Sequence, residues 1–381
     1  MEYRELGHTG KKVSVIGLGC EYLDHKPYEQ IKETIDVALD GGVNILDVFM
    51  PGKEVRENIA KALGSRRDQV MVQGHICSTD IGKQYDKSRD LPTAKKYFED
   101  MLDLFGGYID LGLFFFIDTE KDFQGVFASG IAEYMQEMKA IGRIGHIGFS
   151  SHNTETAMRV IETGIPDMMM FSINPAFDML PSKTYVFDQM DKNMGAAHFQ
   201  GIDPSRTALY SLCAQKQIGI TVMKSLGAGK LLSPEQSPFY RALTVHQCIH
   251  YALSRPAVAS ALIGCQTGDE MKDVLRYFDL DEQELDYADV ITSVHHGFQG
   301  SCVYCNHCQP CPVDIDIAAV HRYLDTALMD EASIPESLRK QYGELSRKGS
   351  DCTSCGNCEE RCPFGVSVCA NMAKAAAVFG G

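Results

Sequence analysis

Positive charge is in short supply in this sequence. Across 381 residues, 36 lysines and arginines stand against 51 aspartates and glutamates, a formal net charge of −15. A binder of phosphate backbones needs a basic surface to release counterions, so no nucleic-acid partner is expected, and no attraction to anionic lipid either. Long apolar runs are also missing. The most apolar patch, LGLFFFI at 111–117, is far too short to span a bilayer. The opening MEYRELGHTGKKVSVIGLGC carries no apolar segment between a basic start and a small-residue cleavage site. No secretory signal is therefore expected, and the predicted location is cytoplasmic. No internal repeat or low-complexity segment is legible.

What is present is an ordinary globular composition, 44% hydrophobic and 23% charged. The length exceeds one small core and suits a large α/β domain with an appendage. From 13 to about 280, short β-rich runs alternate with amphipathic helical stretches. Strands are expected at VSVIGL (13–18), VNILDV (43–48), QVMVQGH (69–75), YIDLGLFF (108–115), GHIGFS (145–150), MMMFSI (168–173), GITVM (219–223) and ASALIG (259–264). EQIKETIDVALDGG (29–42) places Ile31, Ile35, Ala38 and Leu39 on one helical stripe ended by a glycine pair. Eight such units predict a (β/α)8 TIM barrel, with a hairpin ahead of its first strand. A long irregular stretch at 174–206 reads as a functional loop, and a helix is expected near 281–296. The composition shifts near 296, which divides a barrel at 1–296 from a small domain at 297–381.

That small domain holds nine of the 14 cysteines. In a reducing compartment such density reads as metal ligation and not as a disulfide framework. The runs are C-x2-C-x2-C-x2-C-P (302–312) and C-x2-C-x2-C-x3-C-P (352–363). A triplet of closely spaced thiolates can wrap one iron–sulfur core, while the fourth cysteine, followed by proline, ligates the other core. One [4Fe–4S] cluster is then expected on Cys302, Cys305, Cys308 and Cys362, the other on Cys352, Cys355, Cys358 and Cys311. Zinc is the competing reading, but zinc ribbons use paired C-x2-C knuckles and need no triplet or trailing Cys-Pro. Cys369 falls outside both patterns and reads as packing. Helices are expected in IDIAAVHRYLD and IPESLRKQYGEL, as in an α-helical ferredoxin-like domain.

EYRELGHTGKKVSVIGLGC, GGVNILD, GRIGHIGFSSHN, VMKSLGAGKLL and HYALSRPAVASALIGC resemble the landmarks of aldo/keto reductases. With the cysteine tail, nearly the whole chain resembles the 4Fe-4S-containing branch of that family. The resemblance implies carbonyl reduction by NAD(P)H at the C-terminal mouth of the barrel, through an Asp–Tyr–Lys–His tetrad. Position by position, Asp47 matches the aspartate. The tyrosine position is Gly52, the lysine position His75 and the histidine position Phe115. Without the phenol, the proton donor of the usual mechanism is gone. Ser150 and Ser151 match the pair that meets the nicotinamide, and Lys224 with Leu226 of LGAG (226–229) matches the pyrophosphate loop. Met223 falls where an aromatic would stack on the nicotinamide ring. GCQTGDEM (264–271) carries no 2′-phosphate clamp, and its acidic residues disfavour NADPH.

The expected mouth residues are Cys20, Glu21, Asp47, His75, Cys77 and His152. Asp47 and His75 are the catalytic candidates. A lone histidine at a strand end can equally be structural, and Cys20 and Cys77 read as packing. The reading these residues favour is an iron–sulfur oxidoreductase exchanging electrons with a small-molecule substrate or organic cofactor at the mouth. NAD(P)H or a flavin could fill the cofactor role, and a redox partner protein could exchange electrons with the tail. The alternatives are an ordinary NAD(P)H carbonyl reductase and a non-catalytic electron-transfer or docking module.

Overall fold

The structure is a computed structural model that describes residues 1–82, 86–180, 201–292 and 299–380. Its first 14 residues make a hairpin of β1 (Tyr3–Glu5) and β2 (Lys12–Ser14), antiparallel with Arg4 opposite Val13. The expected single strand at 13–18 is therefore two. Val15 leaves the hairpin by donating to Glu2 O, and the chain re-enters a different sheet at Ile16.

That sheet is a closed barrel of β3 (Ile16–Gly19), β4 (Ile45–Val48), β5 (Met71–Ile76), β8 (Ile109–Phe114), β9 (Ile144–Ser151), β10 (Met168–Ser172), β11 (Gly219–Met223) and β12 (Val258–Gly264). All eight expected strands are present. Two short strands, β6 (Ser78–Thr79) and β7 (Asp86–Lys87), form a separate ribbon after β5. Neighbouring strands run parallel, with Leu18 opposite Leu46 and Leu46 opposite Val72. Strand side chains alternate between faces. The inward set from the strands' N-terminal halves, including Ile45, Leu111, Met168 and Ala259, forms one buried cluster that Leu6 and Val13 of the hairpin join. At Gly219 a Cβ would stand 2.6 Å from the Gly7 nitrogen, so only glycine lets the hairpin approach the barrel there.

Helix Tyr28–Asp40 follows β3 and buries Ile31, Thr34, Ile35 and Ala38. Thr34 takes the fourth place in the stripe, where Leu39 was expected. The helix expected near 281–296 is broken into Glu282–Leu285 and Ala288–Ile291. The break has a cause: Asp286 is extended, and its side chain accepts from the Ala288 N–H and meets His307. Residues 181–200 of the expected loop and position 296 itself lie outside the described residues.

The chain forms two compact units. One is the barrel: 1–172, 218–223 and 259–278. The other gathers 173–217, 224–258 and 279–381, three stretches that no single cut in the chain separates. Within it Asp178, fully buried, accepts from Tyr210 (2.6 Å), Tyr251 (2.8 Å) and Arg206 (3.2 Å). A buried carboxylate persists only with such satisfaction. Helices Ile317–Leu328 and Glu336–Gly343 stand where tail helices were expected, and the former packs on a third, Val368–Phe379.

Candidate active site and cluster ligands

Alternation along β4 and β5 sends Asp47, Gln73 and His75 into the barrel above the apolar cluster. Asp47 Oδ1 accepts from Gln73 Nε2 at 2.6 Å and lies 2.7 Å from His75 Nε2. Gln73 is held in turn by Thr221, whose hydroxyl donates to its Oε1 at 3.1 Å. Asp47 is 3% exposed and His75 1%. Phe49 and Phe115 stack on each other at 5.7 Å, and each presents an edge-on contact to the His75 ring. His75 Nδ1 is buried with no hydrogen-bond partner among the described residues. One end of the imidazole is thus fixed by a carboxylate, and the other is an unsatisfied nitrogen in an aromatic cage.

Of the remaining mouth candidates, Cys20 lies near this pair, whereas Cys77 and His152 have other partners. Cys20 is buried near Asp47 and Cys265, and burial, then the Asp47 charge, pushes its thiol well up. Cys77, in a left-handed conformation, faces Arg89 instead; burial raises its thiol although Arg89 opposes this. Arg89 and Lys87 both pair with Asp122, at 3.2 and 2.6 Å. His152 pairs with Asp118, Nδ1 to Oδ2 2.9 Å, and its backbone N–H donates to the same carboxylate. Burial alone would raise Asp118, but the His152 charge and its hydrogen bonds hold it below the usual carboxylate range.

Ser150 and Ser151 support the turn after β8. The Phe116 N–H donates to Ser150 Oγ at 2.8 Å, and Ser151 Oγ donates to Ile117 O at 2.7 Å. In the second unit, Lys224 is left-handed and its carbonyl accepts from Asn174 Nδ2 (2.9 Å) and the Gly227 N–H (2.9 Å). Leu226 O accepts from the Gly229 N–H at 3.0 Å, which closes a tight LGAG turn.

The cysteines of the tail surround two cavities. Cys302, Cys305, Cys308 and Cys362 line one, with Val303, Phe364 and Val366. Cys311, Cys352, Cys355 and Cys358 line the other, joined by Cys369. These are the two sets the spacing predicts, including the exchanged fourth cysteine. Cys369, expected as packing, stands in the second cavity. Burial raises the Cys302 thiol well up, Cys305 to about 12 and Cys358 to about 11, so cation binding must displace protons.

The backbone repeats between the two motifs. Tyr304 and Ser354 are both left-handed, and their N–H groups point at Cys302 and Cys352 Sγ, each at 3.4 Å. Asn306 and Gly356 are left-handed after the second cysteine of each run. Asp314 and Gly365 are left-handed three residues after Cys311 and Cys362 and donate to those cysteines' carbonyls. A helix follows each turn. The absence of an internal repeat expected from the sequence is thereby corrected: the tail's two runs share backbone conformations as well as their cysteine spacing. Such N–H groups stabilise thiolate charge, and the donor sets fit iron–sulfur cores.

Residues 15–242 match the aldo/keto reductase family, and 299–366 match a 4Fe-4S dicluster domain. The first match spans more than half of the sequence. The chain belongs to the aldo/keto reductase family. With the second match, it is an iron–sulfur oxidoreductase of that family. Its fold is shared with an aldo-keto reductase of Bacillus halodurans in holo form, at 18% identity and TM-score 0.60, covering 77% of this chain and 97% of that one. Two structures assigned as Pseudomonas aeruginosa aldo-keto reductases match at 17% and 19% identity, with TM-scores 0.56 and 0.54. They cover 74% and 73% of this chain and 95% and 94% of theirs. No curated protein matches the chain. Among the described residues, no helix is long and apolar enough to cross a membrane.

Sequence reasoning found Asp47 and His75 as separate strand-end residues and missed Gln73, Phe49 and Phe115 as their setting. One signal was available for Gln73, which sits two positions before His75 and so shares its face.

Proposed function

We propose that this family member carries two [4Fe–4S] clusters in a domain spanning 297–381 and exchanges electrons with a small molecule at the Asp47–His75 site. The observation that carries the reading is the pairing of two complete four-cysteine sets with a tetrad whose tyrosine, lysine and histidine are replaced. Cys302, Cys305, Cys308 and Cys362 would hold one cluster, and Cys352, Cys355, Cys358 and Cys311 the other. Bound there, the clusters supply electrons one at a time.

Support for clusters over zinc comes from spacing. Among the described residues no three His, Cys, Asp or Glu side chains are close enough for a single metal ion. Four thiols around a cavity suit a multi-iron core, whereas zinc draws its sulfurs to about 2.3 Å from one centre.

In the barrel, Asp47 orients His75 through Nε2, and Nδ1 remains to hold or pass a proton to a bound molecule. The NAD(P)H reading, with Ser150, Ser151, Lys224 and Leu226 as cofactor contacts, draws less support. The Ser150 and Ser151 hydroxyls already serve the turn after β8, and Gly52 stands at the position that the resemblance gives to the tyrosine. A flavin is the other organic cofactor consistent with single-electron supply. The deciding experiment is an anaerobic absorption spectrum with iron and sulfide counts. About eight of each per chain and cluster absorption are expected, with stoichiometric zinc and no sulfide as the refuting outcome.

A further inference from the structure

The second unit contains a cleft of about 590 Å³ that neither the barrel chemistry nor the cluster ligands use. Its size falls within the range of small-molecule sites. Thr207 and Ser211 of helix Pro204–Lys216 form one wall, Asp325 and Asn371 another, and Arg255 lies in the lining. Three lining residues, Cys302, Val303 and His321, also line the first cysteine cavity, so cleft and cavity share a wall.

Arg255 gives the cleft its character. The residue is 2% exposed, and its guanidinium stacks between the Tyr251 and Tyr304 rings at 4.3 and 4.7 Å. Nη2 donates to Ser254 Oγ (2.9 Å), to the Tyr287 hydroxyl (3.1 Å) and to the Val303 carbonyl. Nε and Nη1 are buried with no partner among the described residues. Asp178 is within electrostatic reach but is ion-paired to Arg206, and Asp325 takes its hydrogen bond from Tyr304 at 2.7 Å. Neither carboxylate contacts Arg255. A buried cation is ordinarily matched by an anion; among the described residues Asp178 and Asp325 feel the Arg255 charge from a distance, and no carboxylate is hydrogen-bonded or ion-paired to it. The lining also offers neutral polar side chains, Thr207, Ser211 and Asn371, of the kind that fix the orientation of a small polar ligand.

We propose that this cleft binds a small organic carboxylate, held by the Arg255 charge at the edge of the first cluster cavity. Binding itself requires no cluster, so the site stands whether or not the two-cluster reading does. The test uses the full chain, purified anaerobically with its metal, and succinate and benzoate as probes in isothermal titration calorimetry. Saturable binding of at least one acid is expected, with a dissociation constant below about 1 mM. Thr207→Trp, which fills the cleft from the helix without touching Arg255, should weaken it about tenfold or more. Arg255→Gln should do the same and Arg255→Lys less.

A second readout is electron paramagnetic resonance of the reduced protein. Saturating acid should shift one cluster signal, the one lost in Cys302→Ala, and leave the other unchanged. Failure of both acids to bind, or unchanged affinity in Thr207→Trp, overturns the site. Binding without any spectral shift overturns its position beside the first cluster. Iron and sulfide counts, read on the same sample, report separately on the two-cluster reading.

Discussion

Replacing Asp47 by asparagine and by alanine separates charge from packing at the proposed active site. A single oxygen, Oδ1, meets both Gln73 Nε2 (2.6 Å) and His75 Nε2 (2.7 Å). Asparagine can present an amide oxygen at that place and keep both contacts while losing the negative charge. Alanine removes the acceptor: His75 Nε2 is left buried without its partner, and Gln73 Nε2 keeps only a weak contact to Met170 Sδ at 3.3 Å, in residues 1% and 0% exposed. Each such orphan costs about 1–3 kcal/mol, so Asp47→Ala should lose about 3–5 kcal/mol of stability, in line with breaking a buried pair. Asp47→Asn should lose about 1–2 kcal/mol, the difference between a charge-assisted and a neutral hydrogen bond. Turnover should behave differently. If turnover uses the negative charge beside His75, both variants fall by about 10²–10⁴-fold, as general acid–base residues do. The assay pairs guanidinium unfolding with anaerobic turnover, and cluster absorption serves as a control that should not move. Full activity in Asp47→Asn would refute the use of the charge. A cluster loss in either variant would show that the effect is not confined to the barrel.

Cys311→Ser should damage the cluster on Cys352, Cys355 and Cys358 and spare the other, visible as loss of one of two signals in electron paramagnetic resonance; loss of the Cys302 set's signal instead would reverse the ligand exchange. Aldehyde reduction with NADPH should stay below about 1 per second, and a turnover within the ordinary enzyme range would restore the carbonyl-reductase reading. Asp167 offers a pH test. Burial would raise its carboxyl, but hydrogen bonds from His146, Lys139 and the Ile147 N–H hold it well below the usual range. A depressed carboxylate contributes stability above its unfolded value of about 4 and loses it as pH falls toward the folded value. Asp167→Asn should therefore be less stable by about 1–3 kcal/mol at pH 7, with the gap to the wild type closing as unfolding is repeated at decreasing pH below 4.

The barrel strands and both cysteine sets were legible in the sequence because their signals are local. Alternation of apolar residues marks a strand wherever it ends up, and thiol spacing constrains which sulfurs can share one core. The resemblance to the family also pointed to Asp47 as a candidate. What local signals could not supply is which strand ends meet. The expected mouth residues divide in three dimensions: Asp47 with His75 and Cys20 nearby, Cys77 with Arg89, and His152 with Asp118. Barrel closure and register decide those partners, and a sequence does not display register between strands dozens of residues apart. The cysteine spacing of the tail's two runs was legible, but the backbone part of their repeat was hidden for a related reason. It resides in left-handed backbone at Tyr304 and Ser354, and at Asp314 and Gly365, where unlike side chains adopt one conformation. Arg255 marks the limit most plainly. In HYALSRPA it reads as a charged residue after a helix, and only packing against Tyr251 and Tyr304 buries it beside the loop that carries Cys302 and Cys305.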